Sequence, residues 1–182
     1  MTAMVPSASS TPRPSVSEHR QLVWVASPTP SSLTANALNR CRNLIHSNTG
    51  EEYPLELLSG LPVAPLCGSL LLIPEGIERP QALAENMIHG LLWVMRLDEH
   101  TVRILTILVE IKHRSRGYAA EGWRMFEGMA RNEGATQVVL EVRAENDIAI
   151  GFYQRRGLSV VGRLSHYYQG GEGLAMKGLL RQ

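Results

Sequence analysis

Three observations predict a mixed α/β domain. Short apolar runs typical of strands alternate with stretches whose apolar residues recur every three or four positions, as on one face of a helix. A chain of 182 residues with 44% hydrophobic content can bury a substantial core. No internal repeat interrupts this alternation. We therefore expect residues 21–182 to form one domain, with a mixed central sheet of about six to seven strands and flanking helices.

The first 20 residues differ in composition from the rest of the chain. They are rich in serine, proline and threonine and contain few large apolar side chains. Such a segment cannot bury enough apolar surface to offset its loss of conformational entropy. We therefore expect residues 1–20 to be a disordered tail.

The first half of the domain is predicted to follow the order β-α-α-β-β-β. A helical stripe runs through 31–47, with Ser31 or Ser32 as its N-cap. Proline and glycine leave 48–68 poorly determined apart from a short helix at 55–58, and the segment 75–89 leaves room for a helical turn or two after Pro80. Strands are predicted at 21–27, 68–74, 90–98 and 101–109.

The second half is predicted to follow the order α-β-α-β-β. The helix 117–133 is stopped by Gly134. In the strand 136–143, the residue Glu141 falls on the face opposite Val138, Leu140 and Val142. A short helix at 148–156 has Asn146 or Asp147 as its cap and Gly157 as its stop, and the closing strands 158–164 and 173–180 flank the sequence HYYQGGE.

Charge and cysteine content exclude several classes of function. A formal net charge of +1 does not predict a broad nucleic-acid surface, so an anionic ligand must be held locally. Cys41 and Cys67 lack metal-ligand spacing and are expected to be buried in a reducing, cytosolic protein. The six histidines also lack ligand spacing, and no metal site is predicted. With no apolar signal core and no membrane-length apolar run, we expect a cytoplasmic protein without nucleic-acid or membrane partners.

The stretch RSRGYA, residues 114–119, predicts an anion site. It lies between a strand and a helix, where the backbone N–H groups of the first helical turn have no partner inside the helix. Gly117 and Ala119 would allow a ligand to approach the backbone closely, and Arg114 and Arg116 add positive charge. The alternative is a solvated basic loop at a helix start.

Three segments together resemble the GNAT superfamily of acetyl-CoA-dependent N-acetyltransferases. They are LVEIKHRSRGYA, LEVRAENDIAIGFYQRRGL and HYYQGGEGLAM. Within the superfamily, the sequence is most similar to the ribosomal-protein-alanine and protein N-terminal acetyltransferases. The likeness covers 91–180 well and is only architectural at 21–73. It departs from the family pattern at Ile111, Ser115 and Gly173, where proline, glycine or arginine, and aspartate are usual.

The resemblance implies that acetyl-CoA binds to two backbone segments and one side chain. The end of the strand 101–109 would pair with the pantetheine amides, and the following loop would wrap the pyrophosphate. Asn146 would hydrogen-bond the pantetheine arm, although a plain helix N-cap is an equal alternative. The implied cofactor-binding residues are Ile107, Leu108, Val109, Arg114, Ser115, Arg116, Gly117, Tyr118, Ala119, Ala120 and Asn146.

The resemblance also implies roles in the reaction. A neutral amine attacks the thioester, so one group must accept a proton from the ammonium and another must protonate the departing thiolate. Glu141 matches the family's general base, acting through water, and Tyr153 matches its acid. Tyr167 and Tyr168 match the tyrosines that hold the first residues of an acceptor peptide. The alternatives are an exposed sheet glutamate, a core aromatic and two tyrosines that pack the hairpin.

Acid–base chemistry favours a protein or peptide N-terminus as the acceptor. An α-amine of pKa about 8 is roughly one-tenth neutral at pH 7, whereas a lysine of pKa about 10.4 is neutral in about one molecule in a few thousand. A site with one carboxylate base therefore suits the α-amine. A small-molecule amine as acceptor and a non-catalytic acetyl-CoA-binding domain stay open, as do a monomer and a homodimer.

Overall fold

The computed structural model describes residues 21–168 and 171–180, so the tail expected at 1–20 lies outside the described residues. The mixed α/β architecture with seven strands is confirmed. The helices are α1 (Ala35–Thr49), α2 (Leu55–Ser59), α3 (Arg79–Ala84), α4 (Tyr118–Asn132) and α5 (Asp147–Gln154). The strands are β1 (Leu22–Ala26), β2 (Leu70–Pro74), β3 (Gly90–Arg96), β4 (Thr101–Val109), β5 (Gln137–Arg143), β6 (Ser159–Tyr168) and β7 (Gly171–Leu179).

Two local predictions were wrong. Helix α1 is capped by Thr34, whose side chain accepts a hydrogen bond from the Ala37 N–H at 3.2 Å. Ser32 instead ends a 3-10 turn, where its hydroxyl donates to the Thr29 carbonyl. At the other end of the chain, β6 continues to Tyr168, so the connection between the last two strands is shorter than the sequence HYYQGGE suggests.

The sheet has the order β1-β2-β3-β4-β5-β7-β6, and its neighbours are antiparallel except for β4 and β5. These two strands run parallel and pair only from Thr101↔Gln137 to Ile104↔Leu140. Beyond this point β4 pairs with β3 alone, and β5 pairs with β7 alone. The middle of the sheet therefore opens after Ile104 and Leu140.

Alternating side chains of the central strands feed two hydrophobic cores. Leu72 and Leu92 belong to the core that contains Trp123 and Phe126 of α4. Their neighbours in the chain belong to the core that contains α1, α2 and α3 residues. In the described ranges, 21–168 and 171–180, no helix is both long and apolar enough to cross a bilayer.

Candidate active site

Residues 114–120, which connect β4 to the first turn of α4, form an open turn of backbone N–H groups that we call the cradle. After a 3-10 turn at Ile111–His113, Ser115 and Gly117 adopt left-handed backbone angles, with φ of 60° and 86°. Gly117 is the N-cap of α4, and no side chain caps this helix end. The N–H of Glu121 bonds to the Gly117 carbonyl, so the N–H groups of 118–120 precede the helical ladder. A Cβ built on Gly117 would meet nothing within 4 Å, so the turn has open space beside it.

Tyr118 and Arg114 fix the position of this turn. The Tyr118 hydroxyl accepts from the Leu22 N–H at 3.1 Å, and its carbonyl accepts from the Trp24 indole N–H at 2.8 Å. The Arg114 guanidinium donates to the Val109 carbonyl at 3.2 Å and also contacts the Asn48 amide oxygen. Both side chains therefore make contacts within the protein. Arg114 and Arg116 are both exposed to solvent.

The end of β4 has one backbone edge outside any strand ladder. Ile107, Leu108 and Val109 pair with β3, and no described strand pairs with their other edge. The Leu108 and Val109 side chains are buried, which anchors the strand from both faces of the sheet. The end of β4 therefore has a free backbone edge where β4 and β5 part.

Glu141 is the first β5 residue after the parallel ladder ends at Leu140. Its carboxylate accepts from the Arg103 Nε at 2.9 Å, and the Arg103 Nη2 lies 2.7 Å from the same oxygen. The Arg103 Nη2 also donates to the Tyr167 hydroxyl at 2.7 Å. Burial alone would lower the pKa of Arg103, but the charge and hydrogen bond of Glu141, together with Tyr167, outweigh burial and raise that pKa. Arg103 was not predicted as a site residue, although a charged residue within the mostly apolar β4 was a signal for it.

Tyr167 and Tyr168 lie at the end of β6, which is separated from β4 by β5 and β7 in the sheet. The register of β6 against β7 shifts between Leu164 and Tyr168, and the two rings pack edge to face with centroids 5.0 Å apart. A Cβ on Gly173 would lie 3.3 Å from atoms of both tyrosines. The glycine at this departure from the family pattern therefore makes room for the tyrosine pair.

Charged residues surround Tyr168 and tie it to the first half of the chain. The Arg143 guanidinium lies 4.7 Å from the centre of the Tyr168 ring and forms an ion pair with the buried Glu51. Burial raises the pKa of Tyr168 to about 12, and the neighbouring Tyr167 and Glu141 add to the rise. Glu51 lies in the region that the sequence left undetermined, so its role could not be predicted.

Tyr153 is a buried residue of the α5 helix. Its ring packs against Trp123 and Phe152, with centroids 5.9 and 5.4 Å away. Burial raises the pKa of its hydroxyl, so the group stays protonated at neutral pH. The core-aromatic alternative is thus correct for the ring, and the acid role stays a prediction.

Asn146 is the N-cap of α5, which is the helix-cap alternative that the sequence analysis gave for this residue. Its side-chain oxygen accepts from the Ala149 N–H at 3.1 Å. The hydrogen bonds of the described residues leave its side-chain NH₂ group without a protein partner. The capping hydrogen bond therefore leaves the Asn146 NH₂ group available to a ligand.

A basic depression of about 330 Å³ lies beside the cradle, between α4 and α5. The Arg156 guanidinium packs 3.4 Å from the centre of the Phe152 ring along its wall. No local pattern predicts this surface, because its residues come from α4 and from the two positions after α5. The lining residues are Ala120, Trp123, Arg124, Glu127, Arg155 and Arg156.

Comparisons with known proteins agree with this geometry. Residues 70–158 match the model of the Acetyltransferase (GNAT) family. N-alpha-acetyltransferase 30 of Schizosaccharomyces pombe is 33% identical over 70 residues, which is 38% of this chain and 45% of that protein. The chain therefore aligns with less than half of this curated relative.

Solved structures share the fold at low sequence identity. Ard1 from Thermoplasma volcanium has a TM-score of 0.73 and 19% identity, covering 88% of this chain and 99% of its own. The ribosomal-protein-S18-alanine N-acetyltransferase from Escherichia coli has a TM-score of 0.68 and 14% identity, covering 89% and 96%. Residues 70–158 are therefore similar in sequence to the GNAT acetyltransferase family, and the chain is similar in fold to these solved acetyltransferases.

Proposed function

We propose that this protein transfers the acetyl group of acetyl-CoA to the N-terminal α-amine of a protein or peptide. The observation that carries the proposal is the position of Glu141, which is the first residue of β5 beyond the parallel ladder. A carboxylate is thereby held at the opening between β4 and β5, with Tyr167 linked to it through Arg103. The similarity to N-alpha-acetyltransferase 30 and to the ribosomal-protein-S18-alanine N-acetyltransferase supports the same acceptor.

The cradle suits the pyrophosphate of acetyl-CoA. The N–H groups of 118–120 precede the helical ladder of α4, and such donors favour an anion. The exposed Arg116 adds positive charge near these donors. The free edge of Ile107–Val109 would pair with the pantetheine amides, together with the Asn146 NH₂ group. The basic depression between α4 and α5 continues from Ala120 and would take the nucleotide end.

The reaction needs a base and an acid, and we assign these roles to Glu141 and Tyr153. Glu141, acting through water, takes a proton from the acceptor ammonium. The amine nitrogen then forms a bond to the thioester carbonyl carbon as the carbon–sulfur bond breaks. The Tyr153 hydroxyl gives its proton to the departing thiolate, and burial keeps that hydroxyl protonated until then. The newly acylated nitrogen then releases its surplus proton to the tyrosinate, which restores Tyr153 and leaves a neutral amide. Arg103 acts as a positioning residue, because it holds the Glu141 carboxylate from the adjacent strand.

Direct attack fits the cysteines better than a covalent enzyme intermediate does. A cysteine nucleophile must reach substrate as a thiolate. Cys41 and Cys67 are both buried, and burial raises the pKa of Cys41 to about 12. Neither residue lies in the opening between β4 and β5. We therefore assign no cysteine to the chemistry.

The acceptor side is formed by aromatic and charged groups from both halves of the chain. Tyr167 and Tyr168 would hold the first residues of the peptide. The ion pair of Arg143 with Glu51 brings the segment after α1 against the same side of the sheet. One carboxylate base suits an α-amine, which is about one-tenth neutral at pH 7, better than a lysine side chain.

A mass-spectrometric transfer assay tests the proposed function. Purified protein and acetyl-CoA are incubated with a pool of peptides that have free N-termini. A second pool carries the same peptides blocked at the N-terminus and containing lysine. We expect acetylation in the first pool only. Modification of lysines alone, or binding of cofactor without transfer to either pool, would contradict the proposal and direct the search to small-molecule amines or to a non-catalytic role.

A further inference from the structure

Three side chains with metal-ligating atoms converge beside the start of the cradle. They are His89, which directly precedes β3, Glu110, which follows β4, and His113, the last residue of the 3-10 turn. One ligating atom from each lies within 4.8 Å of the other two. The His89 Nδ1 lies 2.7 Å from the Glu110 Oε2, and the His113 Nε2 lies 3.9 Å from the same oxygen. Residue spacing could not reveal this cluster, because 21 positions separate His89 from Glu110.

The backbone fixes these three residues relative to one another. The Glu110 N–H donates to the His89 carbonyl at 2.8 Å, and the His113 N–H donates to the Glu110 carbonyl at 2.8 Å. The two imidazole rings pack edge to face, with centroids 4.9 Å apart. The main-chain hydrogen bonds therefore hold the three residues next to one another.

His113 lacks partners for its polar atoms. Within the part of the chain that the structure describes, both of its ring nitrogens are buried and make no hydrogen bond. A buried polar atom without a partner is unfavourable, and native structures leave few of them unless an ion or water satisfies them. This observation is independent of the cluster's residue types and points to a missing partner beside His113.

We propose that His89, Glu110 and His113 form a binding site for a divalent transition-metal ion, with Zn²⁺ as the best match. Two imidazole nitrogens and one carboxylate oxygen are a ligand set that Zn²⁺ accepts, with water in the fourth position. Bonds of about 2.0–2.1 Å in a tetrahedral site hold the ligand atoms roughly 3.4 Å apart. The distances of 2.7 and 3.9 Å to the Glu110 Oε2 lie on either side of that value, so small side-chain shifts complete the site. The ion replaces the hydrogen between His89 and Glu110, and His89 then carries its proton on Nε2.

Arg40 orients the carboxylate for this role. Its Nη2 lies 3.0 Å from the Glu110 Oε1, and its Nε donates to the Ile88 carbonyl at 2.8 Å. One carboxylate oxygen is thereby occupied and the other is turned toward the histidines, as outer-shell partners of metal ligands commonly do. Lys112 approaches the Glu110 Oε2 to 3.5 Å, but its side chain is 63% exposed and can turn into solvent. Because both cations oppose a metal ion, we expect weaker binding than at a closed structural zinc site.

Cobalt titration tests the site directly and without reference to acetyl transfer. The full chain, free of affinity tags, is stripped with a chelator, dialysed and titrated with Co²⁺, whose visible absorption reports its coordination. Zn²⁺ is then added as competitor. We expect one Co²⁺ per chain, displaced by Zn²⁺. Absence of stoichiometric binding in the unmodified chain would overturn the proposal.

Matched variants assign the signal to the cluster. His113→Ala and His89→Ala should each weaken Co²⁺ binding by at least about tenfold, the lower end of what loss of an outer-shell partner alone costs. His46→Ala is the control, because His46 lies on α1 with a side chain that is 54% exposed and outside the cluster. Equal Co²⁺ binding by the His113→Ala and control variants would contradict the site. Imidazole NMR signals of the unmodified chain, followed during Zn²⁺ addition, give the same answer if a variant does not fold.

Discussion

Arg103 and Glu141 lie on adjacent parallel strands, and their side chains meet at 2.7 Å just where the ladder between these strands ends. Arg103 also donates to the Tyr167 hydroxyl, so one guanidinium connects the proposed base with the proposed acceptor site. The carboxylate is thereby oriented from its own sheet rather than from a loop.

Replacement of Arg103 should therefore slow catalysis without preventing cofactor binding. We expect Arg103→Gln to lower kcat by about 10- to 100-fold, because a small misplacement of a catalytic group has effects of that size. Arg103→Lys keeps a cation and should recover part of the loss. Steady-state kinetics with a peptide acceptor and calorimetry with coenzyme A separate the two effects. An unchanged kcat in Arg103→Gln would show that Glu141 does not depend on this contact.

Loss of the Glu141 carboxylate should matter most at low pH. Glu141→Gln removes the proposed base, and general bases typically contribute about 10²–10⁴-fold. Above the acceptor's pKa of about 8, the amine is already neutral and needs less assistance. The ratio of unmodified to variant rate should therefore shrink as pH rises from 6 to about 9. A constant ratio across this range would argue against Glu141 as the base.

Tyr153→Phe separates the proposed acid role of the hydroxyl from the packing role of the ring. The substitution keeps the aromatic contacts with Trp123 and Phe152 and removes only the hydroxyl. We expect turnover to fall by about 10²-fold or more, with the coenzyme A affinity nearly intact. Because burial raises the pKa of Tyr153, the hydroxyl should not itself titrate below about pH 10. A large loss of coenzyme A binding in this variant would instead assign the hydroxyl to the cofactor.

Two glycines of α4 should respond oppositely to alanine. A Cβ on Gly122 would lie 2.7 Å from the Trp24 ring, which is buried and tied to the Tyr118 carbonyl. We expect Gly122→Ala to lower the free energy of unfolding by about 1–3 kcal/mol. A Cβ on Gly128 meets nothing within 4 Å, so Gly128→Ala should be neutral or stabilise by up to about 1 kcal/mol. Denaturant titrations of both variants make the comparison, and equal stabilities would contradict the tight contact.

The predictable parts of the fold are those with local signals. The alternation in β5 and the stop residues Gly134 and Gly157 predicted the second half well, because these signals depend only on neighbours in the chain. The N-cap of α1 failed because serine and threonine occur at 31, 32 and 34, all with suitable side chains. Only the position of the 3-10 turn decides among them, and tertiary packing sets that turn.

The site was predictable where a motif carried it and unpredictable where the sheet assembled it. The glycine turn at 114–120 and the candidate base Glu141 were predicted because three segments share their spacing with a family. Arg103 contacts Glu141 across 38 positions, and Arg143 contacts Glu51 across 92. No local pattern links such pairs, so their contacts depend on strand order and register.

Because the ladder between β4 and β5 is short, the two ends of β4 should differ in amide hydrogen exchange. The N–H groups of 101–104 lie between two neighbouring strands, whereas those of 105–109 have a neighbour on one side only. Amides in the first group should exchange with deuterated solvent at rates set by the opening of the whole sheet, and those facing the split should exchange by small local motions. A molecule seated in the split would act as an added strand, so its arrival should be readable in the exchange of a few amides of β4.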